Sequence, residues 1–338
     1  MQKNLHLRVL VLAFVALAGV AMVKWIPYYG KALIAQQHHT LGSSILTGKS
    51  ATIPAPSWHA ALDYAAVYIK AIWQALVLGL LLGSGIKALL PQAWMGKALG
   101  KMGFRNIAIG GLAGVPSMMC TCCAAPVAVG MRKNSASVGG VVAWWISNPV
   151  LNPATLVFMG FVLGWKWSFF RAALGILMVL GIALLAERVG EKTVSNEQVA
   201  PLEVENGSFI SRWIREFVSL SIGLVPEYFA IVFLLGAARA WLFPVLGVHH
   251  GILWIAAMSL AGTLFVIPTA GEIPIVQGML ALGLGAGPAA ALIMTLPAVS
   301  LPSLAMLGRV IDLKTRLFIG AGVAVSGIAA GMIAAAFF

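Results

Sequence analysis

The chain has 338 residues, 60% of them hydrophobic and 9% charged, with a net charge of +12. Soluble domains are roughly 25% charged, so this composition excludes a soluble globular enzyme and points to a protein surrounded by lipid. The basic residues sit mostly in short connections between apolar runs, where they set orientation in a membrane. They do not interleave with aromatics as a nucleic-acid groove would, so no nucleic-acid partner is expected.

The chain opens MQKNLHLR, followed by an apolar run over 9–23. A basic start and a short core fit a signal peptide, but no small-residue cleavage site directly follows the core. Trp25, Tyr28 and Tyr29 read as interfacial anchors. The expectation is an uncleaved first helix over 8–26 with a cytoplasmic start, leaving 27–60 outside. Further apolar segments follow at 62–90, 105–131, 137–164 and 167–186. A polar stretch, 187–211, carries Glu187, Arg188, Glu191, Lys192, Glu197, Glu203 and Glu205 and reads as a solvated cytoplasmic linker. Segments 213–243, 251–284, 287–308 and 315–337 complete the chain. The expected divisions are 1–60, a first permease repeat over 61–186, the linker 187–211, and a second repeat over 212–338.

The repeat is visible as a shift of about 148 positions. Under it Leu112-Ala113-Gly114 meets Leu260-Ala261-Gly262, Thr121 meets Thr269, Pro126 meets Pro274, Gly130 meets Gly278 and Pro149 meets Pro297. Internal repeats are common in transporters, with the substrate site where the repeats meet. Each arm of 105–131 is about 14 residues, near 21 Å as helix, against a hydrocarbon core of roughly 30 Å. The segment therefore reads as a hairpin that enters and leaves on one side. Three crossings and one hairpin per half is an odd count, so the halves invert; Lys166 and Arg171 near the outer face count against this topology. The fold expected is an all-α polytopic membrane protein: an N-terminal transmembrane helix, then two inverted repeats, each with three transmembrane helices and a re-entrant helical hairpin.

Two proline-bounded elbows carry the chemistry. The first, CTCCAAP, holds all three cysteines of the chain, Cys120, Cys122 and Cys123, with Thr121 and Pro126. The second is Pro268-Thr-Ala-Gly-Glu-Ile-Pro274, with Thr269 and Glu272. Each is expected to start a half-helix with its proline in the first turn. A helix N-terminus attracts anions and favours the thiolate form of cysteine. Thiolates select soft ions, so Cys120, Cys122 and Cys123 could hold a soft metal or arsenical transiently. Taken singly, a membrane cysteine is more often a small apolar residue. Glu272 is a candidate proton or ion-coupling group, or else a capping box with Thr269. Glu227, after Pro226, is a weaker coupling candidate. Asn148 and Asn152, beside Pro149, either line the pathway or patch a broken helix, as Pro297 breaks its counterpart. The pairs His38-His39 and His249-His250 read as surface residues. No phosphate loop, catalytic triad or zinc motif is present, so neither a cofactor nor an enzymatic activity is expected.

The run GVPSMMCTCCAAPVAVGMRKNSASVGGVVAWWISNPVLNPA resembles the cysteine motif of the predicted permease family that includes the ArsP-type organoarsenical efflux permeases and YraQ-like proteins. Cys120-Thr121-Cys122 with Pro126, Arg132-Lys133 and Pro149 follow that motif's order, and IPTAGEIPIVQGML resembles the second repeat. The resemblance covers roughly 60–338. Cys123 and the stretch Asn148 to Asn152 depart from the family pattern. The resemblance implies a permease of the bacterial inner membrane. From these residues the expected function is movement of a small thiophilic or sulfur-bearing solute, with efflux of a soft metal, metalloid or organoarsenical first. The alternatives are uptake of a sulfur compound and thiol–disulfide exchange at Cys120 and Cys123.

Overall fold

The computed structural model describes residues 2–48, 52–91, 95–96, 99–190, 208–244 and 251–338. Among them the regular structure is entirely helical, and seven helices are long and apolar enough to cross a membrane. Lipid offers backbone groups no hydrogen bonds, and a helix satisfies them within itself.

The first helix is longer than the sequence suggests. α1 (Gln2–Val20) passes through a π-turn at Ala21–Trp25 straight into α2 (Ile26–His38). Pro27 does not end it, because the wide turn lets the Ile26 N–H bond to the Ala21 carbonyl and places the proline in the first turn of α2. Residues 27–38 are thus helix, not external loop. Tyr28 is buried rather than interfacial, while Tyr29 is exposed.

Two sets of helices follow in the same order. The first is α3 (Trp58–Leu89), α4 (Phe104–Gly114), α5 (Thr121–Lys133), α6 (Val138–Val150), α7 (Pro153–Val162) and α8 (Trp165–Val189). The second is α9 (Phe209–Leu242), α10 (Ile252–Leu264), α11 (Glu272–Ala281), α12 (Ala286–Ala298), α13 (Leu301–Leu307) and α14 (Leu313–Phe337). Residues 191–207 of the expected linker lie outside the described residues, as do His249 and His250.

Packing follows the same shift as the sequence. Gly114 lies against Ser147 and Gly262 against Thr295; Gly139 lies against Ala183 and Gly287 against Gly331. Glycine at these positions lets helix backbones approach closely.

The contacts also fix direction. α5 runs beside α3 in the same sense, with Gly79 against Cys123 and Gly83 against Pro126. α4 runs beside α6 in the same sense, with Gly110 against Gly140 and Gly114 against Trp144. α5 and α6 run in opposite senses, since Trp145 Nε1 donates to the Thr121 carbonyl at 2.9 Å. The hairpin α4–α5 consequently returns to its starting level. Ser137 N donates to the Leu99 carbonyl at 2.7 Å, and Asn134 Nδ2 reaches the carbonyls of Ile86 and Leu90 at the end of α3. α9 crosses α3 in the opposite sense, with Gly236 against Tyr64 at one end and Trp213 Nε1 donating to the Leu81 carbonyl at the other.

Candidate functional site: two elbows and two broken helices

At the first elbow the chain turns through Met118, which adopts a left-handed conformation with φ 51°. α5 then begins with Cys120 as its N-cap. Pro126 is not in the first turn, as expected, but is the sixth residue of α5. Its missing N–H leaves the Cys122 carbonyl without its helical partner. Cys120, Cys122 and Cys123 are free thiols, all buried. Cys120 Sγ and Cys123 Sγ lie 3.0 Å apart. Cys122 has hydroxyl partners as well: Tyr68 Oη donates to its sulfur at 3.6 Å, Tyr228 Oη donates in turn to Tyr68 Oη at 2.8 Å, and Ser300 Oγ is 3.6 Å away. Among the described residues no three His, Cys, Asp or Glu side chains converge as metal ligands. The closest thiol pair is thus Cys120 with Cys123, and Cys122 is the thiol that hydroxyls contact.

The second elbow turns through Ala270, also left-handed, with φ 66°. A non-glycine residue held in that region costs about 1–3 kcal/mol, so both elbows are held by their surroundings. α11 begins at Glu272 with Pro274 third. The expected Thr269–Glu272 capping box does not form, because α11 starts too late and both side chains turn to other partners. Thr269 Oγ1 accepts from Lys24 Nζ at 3.2 Å. Glu272 Oε1 accepts from Arg171 at 2.5 Å, with both side chains essentially buried. Arg171 also donates to the carbonyls of Val150 at 3.0 Å and Pro149 at 2.7 Å. The other carboxylate oxygen, Oε2, has no hydrogen-bond partner.

Each elbow faces the broken helix of the opposite half. α6 stops after Pro149 and restarts as α7 with Asn152 as its cap. α12 stops after Pro297 and restarts as α13, where Ser300 and Ser303 form a capping box. The first elbow meets the second break through Cys122 and Ser300. The second elbow meets the first break through Glu272, Arg171 and the carbonyls freed beside Pro149. This crossed pairing joins the two halves at the buried centre.

Asn148 closes the first elbow, its Oδ1 accepting from Met119 N at 3.2 Å and its Nδ2 donating to the Trp144 carbonyl. Asn152 caps α7 by accepting from Thr155 N, and its buried Nδ2 has no partner. Glu227 lies away from both elbows, about half exposed and 3.8 Å from Arg309. His38 and His39 are exposed, and a ring nitrogen of His39 lies 2.7 Å from the Phe161 carbonyl.

Four participants escape a reading of motifs alone. Arg171 is visible in the sequence as a charge inside an apolar run, which by itself signals function. Lys24 gives the same signal once the first helix is extended past Val23. Tyr68 and Tyr228 carry no local signal, since only the antiparallel packing of α3 on α9 brings them to Cys122.

Residues 57–336 match the model of a family described as Predicted permease. The chain is 50% identical over 329 residues to UPF0718 protein YraQ of Escherichia coli K12, covering 96% of this chain and 93% of that protein. It is 22% identical over 315 residues to UPF0718 protein MJ0584 of Methanocaldococcus jannaschii, covering 72% and 85%. No solved structure matches.

Proposed function

The chain belongs to the predicted permease family, and on that premise we propose that it moves a small thiophilic or sulfur-bearing solute between its two elbows. The observation that carries this reading is the placement of all three thiols of the chain at the buried junction of the two halves. Cys120 and Cys123 form a close pair, and Cys122 contacts Ser300 of the other half. Thiols line this junction, so a solute crossing it would meet soft ligands first. Efflux of a soft metal, metalloid or organoarsenical is the first direction to test.

In this reading the hairpins α4–α5 and α10–α11 are re-entrant and the halves are inverted repeats. The ends of α3, α5 and α8 and the start of α9 share one level with Lys87, Arg105, Lys133 and Arg188. That basic level faces the cytoplasm of a bacterial inner membrane. Glu272 couples transport to an ion through its pairing with Arg171. Protonating Glu272 would leave a guanidinium unpaired in the interior, so exchange accompanies opening of the pair.

Flux assays in cells or vesicles test the thiol mechanism. Cys122→Ser abolishes transport of the cognate solute at unchanged membrane abundance, and undiminished flux in a cysteine-free variant refutes it. The second reading, thiol–disulfide exchange, rests on the 3.0 Å separation of Cys120 and Cys123. Both sulfurs are buried, so exchange requires the elbow to open, and trapping a mixed disulfide with another protein would favour it.

A further inference from the structure

The N-terminal helix lies largely outside the matched family region, which begins at residue 57, yet it delivers a charge to the centre of the molecule. Lys24, in the π-turn, is only 5% exposed. Its ammonium donates to Tyr28 Oη and to Thr269 Oγ1, each at 3.2 Å. No carboxylate lies within ion-pair distance of it among the described residues. A buried cation without a counter-charge costs several kcal/mol, and two neutral hydroxyls do not cancel it. Lys24 is therefore suited to an anion that arrives from elsewhere.

Its partner Thr269 can be reached from outside. A cavity of about 310 Å³ lies between α2 and the second elbow, lined among others by Tyr28, Lys31, Phe158, Thr269 and Pro274. It adjoins a wider groove between residues 40–48 with Ile53 on one side and α11 on the other. Exposed Lys31 stands over the Tyr28 ring at 5.5 Å, and Lys24 lies over the same ring at 5.3 Å. Two lysines thus flank Tyr28 along the approach, the outer one exposed and the inner one buried. The π-turn also touches the first elbow, since Trp25 Nε1 donates to the Pro116 carbonyl at 3.1 Å.

We propose that the solute is a small anion carrying a polarisable sulfur or selenium atom, its charge held by Lys24 and Thr269 and its soft end facing the Cys120–Cys123 thiols. This rests on the permease reading and narrows its substrate class. Hydroxyls and an ammonium favour the oxygen-bearing end of such an anion, and thiols favour the soft end. A neutral arsenical would use the thiols and leave Lys24 without a counter-charge.

Thermal unfolding of the detergent-purified full chain tests this, with thiosulfate as the soft anion, sulfate as the hard anion and arsenite as the neutral thiophile. Thiosulfate is expected to raise the midpoint by about 3 °C or more near saturation, and sulfate by much less. Lys24→Met weakens the apparent thiosulfate affinity about tenfold or more, and Lys24→Arg restores most of it. Lys31→Gln, at the exposed mouth, keeps the test open should Lys24→Met fail to fold. It weakens thiosulfate binding roughly threefold at low salt, and the difference fades at high salt. The proposal is overturned by thiosulfate binding that ignores both lysines, by equal response to sulfate, or by a response to arsenite alone. The last result leaves the thiol permease standing. Loss of the permease reading would instead show as normal flux in the cysteine-free variant.

Discussion

The two elbows share one frame and differ in furnishing. Each is bounded by prolines, turns through a left-handed non-glycine residue and faces the break in the opposite half's helix. The first holds sulfur in tight packing: α5 lies so close to α3 that side chains at Gly79, Gly83 or Gly130 would strike backbone. The second holds an ion pair beside open space, and α11 leaves Gly278, the repeat counterpart of Gly130, with no heavy atom within 4 Å of a would-be Cβ. Two hairpins of corresponding sequence are thus packed tightly on one side and loosely on the other. A permease interface needs surfaces that part, and the loosely packed side is the one suited to move.

The largest effect expected from breaking this comparison is at the ion pair. Arg171→Met leaves the buried Glu272 carboxylate unpaired and costs about 3–5 kcal/mol, read as a lowered midpoint in detergent. Adding Glu272→Leu recovers most of that loss. If the double variant is no more stable than the single, the pair does not join the second elbow to the first break.

The glycine counterparts sharpen the contrast next. Gly130→Ala overpacks α5 against Gly83 and costs about 1–3 kcal/mol. Gly278→Ala is neutral or stabilises by up to about 1 kcal/mol, because an open helical site gains propensity without a clash. Equal responses in a thermal-unfolding comparison would remove the distinction between fixed and loose hairpins. Tyr68→Phe removes the donor to Cys122 and the acceptor of Tyr228 for about 1–2 kcal/mol. Its sharper readout is the alkylation rate of Cys122, expected to change while that of the Cys120–Cys123 pair does not.

Much of this was legible beforehand. The shift of about 148 positions that aligns Gly114 with Gly262 and Gly139 with Gly287 reappears as the same helix contacts. Composition and periodicity suffice there, because a lipid-spanning helix must satisfy its own backbone and small residues mark where helices touch. The cysteines and prolines likewise marked both elbows. The reading went astray where one element's fate depended on another. The first helix was expected to stop at 26 until the π-turn carried it through Pro27, and the T-x-x-E spacing looked like a cap until Lys24 and Arg171 claimed its two side chains.

By itself the sequence determined that this chain lives in a membrane, that it is built of helices, that its two halves share a spacing of prolines and glycines, and where its reactive side chains stand along the chain. Only the tertiary structure decided which of them meet: Cys122 with Tyr68 and Ser300, Glu272 with Arg171, and Thr269 with Lys24. The physical reason is that helix formation is governed by neighbours three and four residues away, whereas a buried charge or thiol is satisfied by whatever group the packing brings to it, 101 or 245 positions distant.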